Sequence, residues 1–134
     1  MPTRRELVAQ FIPNSPLAKH LGIRIESLAE PDKAELVLPF AEHNITIGKV
    51  VHGGAISALA DTAIMAASWS SDEEAGPGGS TISLSIDFAA PAAQTDLRAR
   101  AEVYRRGRTC FCTVTVTADD DTVVASGLGT YRFS

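Results

Sequence analysis

The sequence VHGGAISALADTAIMAASWS, residues 51–70, decides the fold, because it is the longest segment with a helical pattern of apolar side chains. Apolar residues occupy most of its circumference, and Asp61 is the one charged group between Lys49 and Asp72. A helix that is apolar on nearly all sides has to be buried on nearly all sides. We therefore predict a central helix around which the rest of the chain wraps.

The segments around this helix have the period-two pattern of half-buried β-strands. In residues 80–90, Ile82 and its alternate neighbours are apolar, whereas Thr81 and its alternate neighbours are polar, which predicts the two sets on opposite faces. Five more segments alternate in the same way, at residues 21–29, 33–40, 96–104, 109–118 and 123–133. Six strands and one long helix predict an α+β domain in which a curved, six-stranded antiparallel sheet wraps around the helix.

A single domain is expected over residues 1–134, with residues 1–20 as its N-terminal helical segment. Residues 2–12 are predicted as a short helix stopped by Pro13, and Ser15 is predicted to cap a further helical turn. One face of the sheet stays uncovered in a chain this small. An uncovered sheet favours association through its edges or faces.

The composition excludes several functional classes. A formal net charge of -4 over 134 residues disfavours non-specific binding to nucleic acids or anionic membranes. Cys110 and Cys112 are too close together for a disulfide, and the N-terminus has no signal-peptide pattern, so we expect a cytoplasmic protein. The three histidines are scattered along the chain, so no metal site is expected. Residues 51–70 carry too many polar groups to favour a membrane span.

Asp61 is the leading candidate for a catalytic group. A lone carboxylate in a buried helix is costly unless it is paired, hydrogen-bonded or used as a general base or nucleophile. The alternative is a carboxylate that neighbouring backbone amides satisfy or that points into solvent. Gly53 and Gly54 open the helix, where unpaired N–H groups and the positive end of the helix dipole can stabilise an oxyanion. Close packing of the helix start against the sheet explains these glycines equally well.

The spacing of these residues constrains the site. Gly53 and Asp61 are eight residues apart, which on one helix corresponds to about 12 Å along the axis and about 80° around it. One reacting carbonyl cannot contact both groups of the same helix. If both act on one substrate, they come from different chains, and the active site lies at a subunit interface.

Three segments together resemble one enzyme family: HGGAISALADTA (52–63), SIDFAAPA (85–92) and GRTCF (107–111). They are similar to the PaaI-type (phenylacetate-pathway) branch of the hotdog thioesterases, within the 4-hydroxybenzoyl-CoA thioesterase superfamily. The resemblance covers about residues 20–133. It implies a hotdog fold, hydrolysis of an acyl-CoA thioester without a separate cofactor, and a dimer or a tetramer of two dimers with sites built from both subunits.

The resemblance also assigns roles to individual residues. Asp61 matches the family's catalytic acid, and Gly53 matches the residue whose N–H polarises the thioester carbonyl. His52 matches a supporting histidine, although a helix-start residue satisfied by the backbone is the alternative. Thr81 matches a serine that orients water in some members, although a β-forming residue on a polar face is the simpler interpretation. The family commonly has an asparagine six residues before the histidine; a threonine is there instead, and Asn44 is either its substitute or only a turn former.

Basic residues around a glycine turn are the candidates for binding CoA. Arg105, Arg106 and Arg108 flank this turn, where the family often contacts CoA, and arginine suits phosphates through bidentate pairing. With Gly54 they complete the expected substrate-binding set. The expected partner is a small acyl-CoA molecule, with no nucleic acid and no membrane. Two other functions remain open, an acyl-thioester hydratase or dehydratase and a non-catalytic acyl-CoA-binding hotdog protein.

Overall fold

A computed structural model describes residues 1–134 and contains three α-helices and six strands. The helices are α1 (Arg4–Asn14), α2 (Pro16–Leu21) and α3 (Gly53–Ser68). The strands are β1 (Arg24–Ser27), β2 (Lys33–Leu38), β3 (Gly79–Phe88), β4 (Leu97–Arg105), β5 (Thr109–Ala118) and β6 (Val123–Phe133). None of the helices combines the length and the apolar character that crossing a bilayer requires.

The six strands form one antiparallel sheet in the order β1-β2-β4-β5-β6-β3. The sheet curves around α3, which contacts β2, β3, β4, β5 and β6. The predicted hotdog fold is therefore confirmed. Strands β1 and β3 are the two edges of the sheet, so β3 has one side without a strand partner.

Small residues let α3 approach the sheet closely. A Cβ atom added at Gly129 in β6 would lie 2.5 Å from Cδ1 of Ile64, so the glycine makes room for the isoleucine. Ala60, Ala63 and Ala67 are fully buried on the helix. Because interiors are close-packed, this contact fixes the position of α3 against the sheet, and with it the position of Asp61.

The predicted facing of residues 80–90 is wrong at the start of the strand. The pairing of β3 with β6 shifts register between Thr81 and Ser83, which places a β-bulge at Ile82. A bulge inserts one extra residue, so the side chains before it face the opposite way from the alternation that the residues after it follow. Thr81 consequently faces α3, together with the half-buried Leu84, whereas Ile82 is 54% exposed.

The helix boundaries also differ from the predicted ones. Helix α1 runs through Asn14, with Pro13 in its last turn, because a proline there removes only one intrahelical hydrogen bond near the helix end. Helix α3 begins at Gly53 rather than at residue 51, because the side chain of His52 caps it. Ser15 precedes α2 as predicted, but its side chain makes no capping hydrogen bond.

Candidate active site

Asp61 and Thr81 form a hydrogen-bonded pair between the middle of α3 and the start of β3. Thr81 Oγ1 donates to Asp61 Oδ1 over 2.6 Å, and both residues are half-buried. Short O–H···O⁻ contacts of this kind are charge-assisted and hold a carboxylate in one orientation. Asp61 Oδ2 has no hydrogen-bond partner in the protein, so it is free to accept a proton or to contact a substrate.

A cavity of about 210 Å³ lies directly against this pair. Its polar wall comes from α3 and β3, and its apolar wall comes from α1, α2 and the residue before β1. The lining residues are Ile12, Ser15, Leu17, Ala18, Leu21, Ile23, Ala58, Asp61, Thr62, Met65 and Thr81. A carboxylate with one free oxygen at an apolar cavity is the arrangement that a general base or a nucleophile needs.

The start of α3 presents one free backbone donor. His52 is the N-cap, and its Nδ1 accepts the Gly54 N–H over 2.7 Å. Since Nδ1 is an acceptor here, a neutral ring carries its proton on Nε2. The Gly54 amide is therefore occupied, whereas the Gly53 N–H has no acceptor. Of the two glycines, Gly53 is the one that can donate to a substrate at the positive end of the helix dipole.

Phe88, at the end of β3, covers one side of this helix start. A Cβ atom added at Gly53 would lie 3.5 Å from the Phe88 ring, which is ordinary van der Waals contact. The ring is 54% exposed and so forms an apolar surface next to the free amide. The sequence could not predict that Phe88 lies beside the Gly53 amide, because its place in the period-two pattern is that of an ordinary core residue.

Asn44 supports the loop that leads into α3. It is only 3% exposed, and its Nδ2 donates to the Leu21 carbonyl over 2.9 Å. Its backbone carbonyl accepts the His52 N–H over 2.8 Å. Its Oδ1 is buried without a partner. These contacts connect the loop to α2 and to the helix cap, and they do not bring the Asn44 side chain to Asp61.

The three turn arginines differ in what they contact. The guanidinium of Arg106 is used in contacts within the chain. Its Nε is 2.5 Å from Asp32 Oδ1, and its Nη2 donates to the Ala67 carbonyl at the end of α3. Arg108 donates from Nε to the Phe133 carbonyl over 3.1 Å and is otherwise exposed. Arg105 is exposed and forms no ion pair, so it is the freest of the three to meet a phosphate.

The contribution of α1 and α2 to the cavity could not be predicted from the sequence. Ile12, Ala18 and Leu21 line the cavity, but apolar residues of short helices have the same pattern whether they pack in a core or border a cavity. No separate signal in the sequence distinguishes the two cases. The structure contains no group of three or more His, Cys, Asp or Glu side chains arranged to hold a metal ion.

Comparison with known proteins decides the family. The sequence model described as the thioesterase superfamily matches residues 48–125, more than half of the chain. The chain belongs to the thioesterase superfamily. The matched range includes all of α3, with both Gly53 and Asp61, and the start of β3 with Thr81. A comparison with functionally curated proteins gives no significant match.

Solved structures of similar proteins cover nearly the whole chain. A conserved protein from Pseudomonas aeruginosa has 30% sequence identity and a TM-score of 0.79, over 88% of this chain and 93% of that chain. A mutant of the phenylacetic acid degradation protein PaaI from Thermus thermophilus has 28% identity and a TM-score of 0.77, over 90% and 100%. The PaaI protein of Escherichia coli shares the fold, with 24% identity and a TM-score of 0.82 over 98% and 94%. These matches confirm the resemblance to PaaI-type hotdog proteins.

Proposed function

We propose that this thioesterase-superfamily protein hydrolyses acyl-CoA thioesters to the free acid and CoA, with Asp61 as the base or the nucleophile. The observation that carries the proposal is the hydrogen bond from Thr81 to Asp61 Oδ1, which leaves Oδ2 free at the cavity. As a base, Oδ2 takes a proton from a water molecule that attacks the thioester carbonyl. As a nucleophile, it attacks the carbonyl itself and forms a mixed anhydride, which water then hydrolyses.

The thioester carbonyl needs a donor that stabilises its developing negative charge, and the free Gly53 N–H is the best candidate in this chain. Helix geometry separates Gly53 from Asp61 of the same chain by about 12 Å along α3. We therefore assign the two groups of one site to two subunits, Asp61 from one protomer and Gly53 from the other.

Strand β3 offers the route by which two protomers bring these groups together. It is an edge strand of ten residues, and Ile82 and Phe88 expose apolar side chains along it. Long apolar edge strands favour pairing with another chain. If β3 pairs antiparallel with its copy about Ser85, position 82 of one chain lies opposite position 88 of the other. Thr81, which contacts Asp61, would then lie next to Phe88 of the second chain, which packs against the helix start at Gly53.

The exposed arginines complete the proposed site. Arg105 and the free part of Arg108 are the candidates for the phosphates of CoA, because the contacts of Arg106 with Asp32 and α3 already use its guanidinium. The amide of Gly54 is bonded to His52 and cannot donate to the substrate, so Gly54 contributes to the proposed site only by leaving space for the substrate.

A complementation experiment tests both the chemistry and the shared site. Asp61→Asn removes the base or nucleophile. Gly53→Pro removes the N–H at the first helical position, where proline is well tolerated, and His52 already has the extended backbone (φ -62°, ψ 134°) that precedes proline. Each variant alone is expected to lose at least about 100-fold in kcat. Gly53→Ala keeps the N–H and is the matched control.

The two variants are then unfolded and refolded together, so that mixed dimers form, and this mixture gives the decisive result. A mixed dimer has one site with both defects and one intact site, so about a quarter of the wild-type activity returns if subunits associate at random. No return of activity would contradict the shared site, and full activity of Asp61→Asn would contradict the mechanism. Release of free CoA thiol without a change in double-bond absorbance separates hydrolysis from hydration or dehydration, and turnover of any kind separates it from simple binding.

A further inference from the structure

A second cavity of about 370 Å³ lies between α1 and the C-terminal half of α3. Its walls are mostly apolar and include the aromatic rings of Phe11, Trp69 and Tyr131. The lining residues are Leu7, Val8, Phe11, Met65, Trp69, Gly76, Pro77, Gly78, Gly79 and Tyr131. None of the groups assigned to the thioester chemistry lies in this cavity, which we call the distal cavity.

Met65 lies between the distal cavity and the cavity at Asp61, because its side chain lines both. Asp61 and Met65 on α3 and Trp69, the C-cap directly after it, follow one another at four-residue steps. Side chains at this spacing lie on one helix face, each about 6 Å further along the axis. The two cavities therefore lie end to end along α3 and cover about 12 Å from the carboxylate to the indole, with one unbranched, flexible side chain between them.

The walls of the distal cavity are held in place by specific contacts. The Arg4 N–H donates to the Glu73 carbonyl over 2.8 Å, and Arg5 Nε donates to the Leu28 carbonyl over 2.9 Å. These bonds hold the start of α1, whose residues Leu7, Val8 and Phe11 line the cavity. Trp69 Nε1 donates to the Tyr131 hydroxyl over 2.9 Å and fixes the far end. An apolar space with rigid walls is suited to an apolar group of a ligand.

From this arrangement we infer that the distal cavity binds the far end of an aliphatic acyl chain of medium length, about eight to ten carbons. The inference rests on the proposed function, since it places the thioester carbonyl at Asp61. A linear chain fits because it can pass the single side chain of Met65, whereas a rigid ring that starts near the carbonyl stays in the smaller cavity. Each added methylene that reaches the apolar walls is expected to raise kcat/KM about two- to four-fold.

Trp69 provides a direct readout, because it is the only tryptophan of the chain and it lines the distal cavity. In the Asp61→Asn variant, which is expected to hydrolyse substrate at least about 100-fold more slowly, octanoyl-CoA is expected to change the Trp69 emission. Acetyl-CoA is expected to leave the emission unchanged at saturation. Phenylacetyl-CoA is the matched comparison, because its acyl group has the same number of carbons in a compact shape, and no change is expected with it.

Chain-length profiles of hydrolysis give the second measurement. The ratio of kcat/KM for octanoyl-CoA to that for acetyl-CoA is expected to rise in Met65→Ala, which widens the passage, and to stay near the wild-type ratio in Met65→Leu. Leu7→Trp fills the distal cavity from α1, so it is expected to lower the ratio by at least about ten-fold. If Met65→Ala does not fold, the kcat/KM ratio of Leu7→Trp alone tests the inference.

The outcomes separate this inference from the proposed function. Equal emission changes with acetyl-CoA, phenylacetyl-CoA and octanoyl-CoA, or no change with any of them at saturation, would overturn the inference. So would hydrolysis that depends on Asp61 but shows the same chain-length profile in Leu7→Trp as in the wild type. Absence of thiol release from every acyl-CoA would overturn the proposed function, and the emission of Trp69 would still decide whether the distal cavity binds the chain.

Discussion

Thr81 reaches the Asp61 carboxylate only because a β-bulge at Ile82 turns the start of β3 toward the central helix. Its hydroxyl donates to Oδ1 over 2.6 Å. Bulges often occur at the edges of sheets and next to active sites, where they redirect a side chain. Here the bulge lies in an edge strand and fixes one oxygen of the proposed catalytic carboxylate, so Thr81 acts as a positioning residue.

Replacing Thr81 tests that role. Thr81→Val keeps the shape and removes the hydroxyl, so Asp61 loses its hydrogen bond and kcat is expected to fall about ten-fold or more, with little change in KM. Thr81→Ser keeps the hydroxyl and is expected to recover most of kcat. Steady-state kinetics of thiol release give both constants. A valine variant with wild-type kcat would show that the hydrogen bond has no part in catalysis.

The same residues show how far the sequence could predict the site. The helical pattern of residues 51–70 and the period-two pattern of the strands follow from burial, so the fold could be predicted. Asp61 could be singled out because a lone charge in an apolar helix is costly. The contact of Thr81 could not, because one inserted residue at Ile82 reverses the facing of the side chains before it, and no local signal marks that insertion.

Long-range contacts explain the other limits of the prediction. Arg106 looks the same in sequence as Arg105 and Arg108, yet Asp32 and the carbonyl of Ala67 bind its guanidinium. Both partners are far from Arg106 along the chain, so only the folded sheet brings them together. The contact of Asn44 could not be predicted for the same reason, since its buried hydrogen bond to Leu21 depends on how α2 packs against the loop.

His52 gives a second prediction, because the structure assigns it a capping role. His52→Ala removes the acceptor of the Gly54 N–H and is expected to lower the free energy of unfolding by about 0.5–2 kcal/mol. His52→Ser restores a side-chain acceptor at the N-cap and is expected to restore most of this stability. Urea denaturation of the three proteins measures the effect.

Activity measurements on the same variants separate capping from chemistry. If His52 acts only as the cap, His52→Ser hydrolyses acyl-CoA at a rate within about three-fold of the wild type. A stable serine variant with a much lower kcat would instead give the imidazole a direct role at the thioester.

Tyr131→Phe is a third variant with a clear physical expectation. The substitution keeps the ring but removes the only acceptor of the buried Trp69 Nε1–H. A buried donor left without a partner costs about 1–3 kcal/mol, so the free energy of unfolding is expected to fall by about that amount. Denaturant unfolding followed by Trp69 fluorescence measures it. Phe133→Leu is a useful comparison, because it changes the packing around both rings without removing a hydrogen bond.

Cys112 makes the stability of the fold depend on pH in the alkaline range. Burial raises the pKa of the Cys112 thiol above its ordinary value of 9.0, and the hydrogen bond with Ser68 offsets only part of this effect. Above about pH 9 the thiol of the unfolded chain ionises, whereas the folded protein still holds its proton. The unfolded state then binds fewer protons than the folded state, so the free energy of unfolding falls as the pH rises.

Urea midpoints measured between pH 7.5 and 9.5 should therefore decrease with pH in the wild type, and the decrease should be shallower in Cys112→Ala. The comparison uses the slope rather than the absolute stability, because removing the sulfur also leaves a small cavity in the core. The upper limit of the pH range matters, since burial also raises the pKa of Tyr131 above its ordinary value of 10.0 and adds a similar loss at higher pH. Equal slopes in the two proteins would show that the thiol of Cys112 titrates alike in the folded and unfolded chains.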